Sequence, residues 1–370
     1  MIKTIYADID ATMYERSSSM NTGLDSILEV SKISSSAGVF TSRILIKFPL
    51  EAISASVAAG KINEPTFYLN LYQSDSSELA QNYSLVAYPV SQSWQNGSGR
   101  ALEPTSLNGF IKSGVSWVYR NKRHEATEYL ASKDIQWTSQ SLHTDSNMVY
   151  NNVTGGGTWF KDFYGTQSFS NETSDIRMDI TPAVMYQISE SRANDGIIIM
   201  RSGSQETNAD EFGSIKFFSR ETNTIYQPKL EIVYDDSSFD STGLTELTTD
   251  EGVVYIKNLK HEYSTGESPK IRVLGRPRYP VKTFSTQSNF KSIDFLPTSS
   301  YYGIKDAITD EFVVPYSFKG TKLSCDTSGN YFNLDMNSFM RERYYKLCFQ
   351  VTQSDSSVVV YDENFYFKVK

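Results

Sequence analysis

Histidines, paired carboxylates and tryptophans are the residues of this 370-residue chain whose types could do chemistry. His124, His143 and His261 are far apart, with neither a metal-ligand spacing nor a G-x-S-x-G partner, so each reads as a surface histidine. A glycosidase needs two carboxylates facing each other across a cleft. Asp175 and Asp179 fall on one face of one extended segment, which by itself gives no cleft. Asp8 with Asp10, and Asp235 with Asp236 and Asp240, could offer oxygen ligands to calcium. They lack the ordered spacing of a calcium loop, and solvated turns are expected. Gly155-Gly156-Gly157 precedes an aromatic strand rather than a helix, so a turn is expected there rather than a phosphate cradle. The chain therefore reads as a non-enzyme, with no catalytic residue, no cofactor and no metal site.

Two further groups suit recognition. Trp94, Trp117, Trp137 and Trp159 are all the tryptophans of the chain. Aromatic faces bury much area at little entropic cost, so they could form a platform for sugar rings or anchors for a protein partner. The other reading places them in a core, and for Trp94 and Trp137 both readings stand. Arg276-Pro277-Arg278-Tyr279-Pro280-Val281-Lys282 is basic and stiff, like a short polyproline arm. Arg276, Arg278 and Tyr279 could dock onto an acidic neighbour, or the stretch is a plain connection between strands.

Composition bounds the elements that must position these residues. A chain of this length suggests two domains. An apolar fraction of 39% with 13% aromatic residues is enough for packed cores, and 24 Tyr with 21 Phe favour sheets. A net charge of -8 and a pI near 5.1 argue against a nucleic-acid surface spread over the chain. Neither a signal-peptide-like start nor an apolar run of membrane-spanning length occurs, so a soluble protein without a membrane span, made and kept in the cytoplasm, is expected. Cys325 shares an apolar face with Leu323, whereas Cys348 alternates with Tyr345, Leu347, Phe349 and Val351. One thiol is expected to face in and the other out, with no disulfide.

Short alternating segments separated by polar turns run along the chain. In 43–48, Ile44, Ile46 and Phe48 alternate with Arg43 and Lys47, an in-and-out pattern. Segments 67–72, 85–90, 176–180, 197–200 and 214–220 follow, with one short helix expected after Thr181 and Pro182. Leu230, Ile232 and Tyr234 close this part as a half-buried strand, and the acidic run 235–243 reads as a linker. An antiparallel sandwich is expected rather than alternating strands and helices.

The order of these elements resembles the DNRLRE-type β-sandwich, a jelly-roll-like domain of cell-surface and some virus-particle proteins. The resemblance is carried by Ser42 to Phe48 for "R-x-L-x-x-F", Leu69-Asn70-Leu71-Tyr72 for "L-x-L-Y" and Val115-Ser116-Trp117 for "V-T-W". Gly156-Gly157-Thr158-Trp159, Asp179-Ile180-Thr181, Asn194-Asp195-Gly196-Ile197, Phe218 to Glu221 and Pro228 to Tyr234 continue it in the family's order. Trp117 and Trp159 match family positions, which implies a place in the core. Segments 95–112 and 121–155 are longer than the pattern requires, and long structured loops are usually functional, so they are the candidate contact surface.

Beyond the linker, about seven short strands in 253–370 suit an immunoglobulin-like sandwich, although its hallmark core tryptophan is missing. The stretch Tyr301 to Phe349 also looks similar to C-terminal modules of tailed-phage structural proteins. The expected organisation is thus all-β: a jelly-roll-like sandwich over 1–236, an acidic linker over 237–252 and a smaller immunoglobulin-like sandwich over 253–370. A surface-type sandwich without an export signal fits a phage particle, which assembles in host cytoplasm. The expected function is a structural component of the tail, neck or an appendage, packed in many copies against other virion proteins. The alternative is a carbohydrate-binding or adhesive module directed at a host surface glycan.

Overall fold

Period-two alternation of apolar residues becomes sheet along most of the chain in the computed structural model. The structure describes residues 1–77, 82–101, 113–122, 135–137, 148–149, 155–170, 175–189, 192–247, 252–279, 293–353 and 356–370. The fold is an all-β sandwich fold in two compact units. The first unit comprises Ile5–Ala59 and Thr66–Glu231; the second comprises Met1–Thr4, Gly60–Pro65 and Ile232–Lys370. The chain therefore changes unit within the strand Lys229–Val233, and the short pieces Met1–Thr4 and Gly60–Pro65 join the second unit rather than the first.

The chain opens with β1 (Ile2–Tyr6), β2 (Ile9–Tyr14), β3 (Ile27–Ser35), β4 (Gly38–Lys47), α1 (Glu51–Ala58), β5 (Thr66–Leu71), β6 (Gln73–Ser77) and β7 (Asn82–Pro89). Four short strands follow: β8 (Tyr119–Asn121), β9 (Ile135–Gln136), β10 (Met148–Val149) and β11 (Trp159–Phe160). Then come β12 (Gly165–Ser170), β13 (Ile176–Asp179), α2 (Thr181–Ser189), β14 (Ile197–Arg201), α3 (Gly203–Thr207), β15 (Gly213–Phe218) and β16 (Lys229–Val233). One large sheet has the order β1-β16-β5-β13 and the other β12-β7-β14-β4-β3-β15-β6 with β2 beside β4, while β8 with β9 and β10 with β11 form two small two-stranded sheets.

Strand β4 is the spine of the larger sheet. Its first half pairs with β3, and its second half lies between β2 and β14. With neighbours on both sides and cover on both faces, Ile44, Leu45 and Ile46 are all fully buried. Along β12 and β13 the sheets are joined by a side chain. Gln167 Oε1 accepts from Arg177 N at 2.9 Å while its Nε2 donates to Asp175 O at 3.1 Å, so one amide occupies backbone groups at the β13 edge. The expected helix after Thr181 is α2, which buries Ala183, Val184, Tyr186, Gln187 and Ile188. Helix α1 was not expected, because Ile53 is its one buried residue and no apolar stripe announces it.

The second unit contains β17 (Thr245–Glu246), β18 (Gly252–Ile256), β19 (Glu262–Tyr263), β20 (Lys270–Pro277), β21 (Asp294–Phe295), β22 (Ser300–Asp306), β23 (Phe312–Val314), β24 (Ser324–Asp326), β25 (Gly329–Asn333), β26 (Arg343–Thr352) and β27 (Val358–Val369). Its sheets are β17-β21-β20-β25-β24, with β18 beside β20, and β19-β27-β26-β22-β23. Inward residues of both sheets, among them Ile271, Val273, Ile304, Phe332, Leu347, Phe349 and Phe367, form one core. Asn330 sits in it fully buried and is satisfied on both sides of its amide by the backbone of Leu296, accepting at 2.6 Å and donating at 3.1 Å.

Two expectations are corrected by this packing. Residues 237–247 of the presumed linker are built into the second unit. Phe239 bridges Cys325, Thr245 and Glu246 pair with Asp294 and Phe295, and Leu247 is 3% exposed within the core. Its acidic side chains misled the reading: Asp235 and Asp240 accept from the N–H groups of Ser237 and Thr242, forming tight polar turns between packed residues. Cys348 does not face solvent. Both cysteines are buried and free. Cys348 pairs with Gly303, over which the Phe312 and Tyr316 rings sit 5.2 Å apart and cover the outer side of the sheet. Burial pushes both thiols up to about 11.

A linker leucine could be truncated at almost no cost, within about 0.5 kcal/mol. Leu247→Ala should instead destabilise the second unit by about 2–5 kcal/mol, the range for a buried leucine. Urea denaturation followed by circular dichroism measures this, and an unchanged midpoint would return 237–247 to the role of a linker.

Candidate functional site

Arg43 was expected to point outward from its strand. It is instead 6% exposed and lies between two indoles, its guanidinium carbon 5.0 Å from the Trp117 ring centroid and 5.1 Å from that of Trp159. Nε and Nη2 donate to the two carboxylate oxygens of Glu206 at 2.9 and 3.1 Å, and Nη1 donates to Gly156 O at 2.6 Å. The planar fork of arginine suits this two-point pairing, and a charge this deep requires it. Gly155, Gly156 and Gly157 all have positive φ, the turn expected from their run. A Cβ on Gly156 would fall 2.6 Å from Arg43 Nη1, so the glycine lets the backbone carbonyl reach the guanidinium.

All four tryptophans join one cluster with Ala11, Met13, Leu45, Val86, Ile198 and Met200, on the face of the larger sheet that Arg43 also occupies. Trp94 is 7% exposed and donates Nε1–H to Asp195 O at 2.8 Å. Trp137 is 5% exposed and donates Nε1–H to Ser116 O at 3.0 Å. Burial with the indole N–H satisfied by backbone is the pattern of an interior tryptophan, not of an exposed platform. The described parts of the long middle segments thus form an inner packing layer. Residues 102–112, 123–134, 138–147 and 150–154, which hold much of the candidate contact surface together with His124 and His143, lie outside the described residues.

A hub that the sequence did not signal pins this layer. Asn21, 4% exposed, donates Nδ2–H to Asn96 O and Val115 O, both at 2.7 Å, and its Oδ1 accepts from Gly99 N at 2.7 Å. Gly97 and Gly114 pack directly against its amide. Asparagine in a Ser, Met, Asn and Gly-rich stretch looks like loop filler, and a partner about 75 to 94 positions away leaves no local pattern.

The remaining candidates are dispersed. Arg276 is half-buried in β20, opposite Val253, while Arg278 and Tyr279 are exposed beyond the end of that strand, Tyr279 at 75%. Pro280, Val281 and Lys282 lie outside the described residues. His261 is exposed beside Tyr344. Asp175 and Asp179 each accept from a backbone N–H, those of Gln73 and Thr181. Asp236 pairs with the Met1 ammonium at 2.8 Å. Among the described residues no three of His, Cys, Asp and Glu converge where they could hold a metal ion, and no helix is long and apolar enough to cross a membrane.

Asp8 and Asp10 part company: Asp8 is exposed, whereas Asp10 is 2% exposed and accepts from Arg220 N at 2.6 Å. Burial pushes the Asp10 carboxyl from 3.8 up to about 7, against the opposing pull of the Arg220 N–H and with Glu221 adding to the rise.

A scan against protein-family models finds no match to the chain, and no curated protein matches it.

Two outcomes test this geometry. Because the folded pKa of Asp10 lies above its unfolded value, its protonated form favours folding. Its contribution is complete below about pH 4, falls as pH rises and is lost above about pH 7. Asp10→Asn keeps an acceptor for the Arg220 N–H without the charge. It should therefore be more stable than wild type at pH 8, by up to about 4 kcal/mol, with the gain gone at pH 4. Thermal melts across that range measure it, and a pH-independent difference would refute the buried-carboxyl account. Arg43→Met leaves Glu206 without its partner and should cost about 3–5 kcal/mol, read from urea denaturation. A loss under about 1 kcal/mol would show that the clamp is dispensable.

Proposed function

We propose that the protein is a non-enzymatic structural component of a tailed-phage particle, in its tail, neck or an appendage, acting through assembly contacts with other virion proteins and with further copies of itself. The observation that carries the reading is the apolar surface of the second unit. Ile308 and Phe318 are each 78% exposed, and Val358 and Val360 are 53% and 54% exposed along β27. Most of the described large apolar side chains that face solvent lie between Tyr279 and Tyr366. Contiguous apolar surface marks interaction sites, and Val358 and Val360, two residues apart on β27, fall on one face of that strand. Strand β27 pairs with β26 along its length but with β19 only at Lys368 and Val369, so among the described residues most of its other edge is open for strand addition. The motif order of the first unit supports the particle assignment. Buried interface area, rather than chemistry, would carry the function.

A second reading, a carbohydrate-binding or adhesive module, draws on a different observation: a half-open cavity of mixed polar and apolar lining between α1 and α2 in the first unit. Mass spectrometry of density-purified particles, set against the cell-envelope fraction of the source culture, separates the two. Peptides from both units at stoichiometric abundance in the particles are expected. Peptides confined to the envelope fraction would overturn the particle assignment and leave the adhesive module.

A further inference from the structure

Natural sheets blunt their free edges with charge, bulges and partial cover, and most of β27 is treated this way. Lys368 and Val369 pair with β19. Asp362, Glu363 and Asn364 stand opposite Cys348 alone, in a bulge where Asn364 adopts a φ of 59° and both its neighbours toward Tyr361 are acidic. Val358 to Tyr361 has none of these devices. It is a regular, uncharged stretch of valines and a tyrosine, and among the described residues nothing pairs with its outer edge.

The hydrogen-bond phase of this stretch is fixed at its start. Gln353 N–H donates to Ser357 O at 2.9 Å, and Thr352 N–H donates away from β27, to Ser299 O at 3.0 Å. By the alternation of an antiparallel ladder, Val359 and Tyr361 bond to β26, whereas the N–H and C=O groups of Val358 and Val360 point to the open edge. Their side chains are 53% and 54% exposed, while Val359 packs on the core and Tyr361 is buried, so both valines also lie on the outer face. Any extended chain could use the backbone groups; the side chains select a partner with an uncharged apolar pair at the same spacing. A second copy of the same segment supplies one. Placed antiparallel about a two-fold axis at Val359, Val358 of one copy lies opposite Val360 of the other, and each such pair exchanges both of its N–H···O bonds. The exposed valines of both copies then meet on one face. Moving the axis to Val358 sets Val360 against Ser356, and moving it to Val360 sets Val358 against the Asp362 carboxylate, so the axis at Val359 is the one at which apolar meets apolar.

We propose that β27 pairs with β27 of a second copy, antiparallel about Val359, joining the β19-β27-β26-β22-β23 sheets of the two copies edge to edge. The pairing rests on the reading of the chain as a multi-copy assembly protein and gives that reading a contact. Sedimentation velocity of the full chain over about a hundredfold range of concentration tests it. A contact this small should show as a concentration-dependent monomer–dimer equilibrium. Val358→Lys, at an exposed position, should weaken the dimer at least about tenfold with an unchanged melting curve. Adding Val360→Glu to Val358→Lys sets the introduced opposite charges against each other across the axis and should restore most of the association. A monomer at every concentration, a dimer untouched by Val358→Lys, or a double variant no tighter than Val358→Lys alone would overturn the pairing. Particle membership is read separately: a monomeric chain recovered in particles sinks the self-pairing alone, and a dimeric chain confined to envelopes sinks the particle assignment alone.

Discussion

A guanidinium buried against two indoles is stable only while its charge is matched, and in the first unit this one requirement organises a whole layer. Arg43 comes from the central strand of the larger sheet, Glu206 from the short helix after β14, Gly156 from the glycine turn, Trp117 from just before β8 and Trp159 from β11. Holding the cation thus holds four distant pieces of chain in register. The remaining tryptophans pack into the same cluster, and Asn21 ties the backbone beneath them. Among the described residues, that face of the sheet is thereby covered by the turns and the short strand pairs β8–β9 and β10–β11.

That arrangement changes what the aromatic residues mean. Tryptophans in polar loops suit a recognition platform, yet here each of Trp94 and Trp137 is buried and gives its N–H to a backbone carbonyl. Apolar surface that does face solvent lies elsewhere, on β27 and around Ile308 and Phe318 in the second unit. Among the described residues, candidate interaction surface therefore lies in the last third of the chain, and the first unit has a cavity between α1 and α2.

Most strands were legible because their apolar residues alternate: segments 43–48, 67–72, 197–200 and 214–220 each became a strand within a few residues of expectation. The class of fold followed from them. What stayed hidden depends on long-range pairing. Arg43 sits at a position that alternation assigns to solvent, and nothing near it in sequence announces Glu206, 163 residues away. Leu247 looked like part of a linker because its neighbours are acidic, and its burial is decided by β20 and β21. Cys348 looked exposed because alternation describes one covered face, whereas the Phe312–Tyr316 pair covers the other.

The central claim is that the tryptophans are interior structure rather than a contact surface. Acrylamide quenching of tryptophan fluorescence in the native full-length chain tests it most directly. The account predicts one shielded population, quenched far less readily than free tryptophan and becoming accessible only on denaturation. A fraction of the native emission quenched as readily as free tryptophan would contradict it, and would return Trp94 or Trp137 to the surface as a recognition residue.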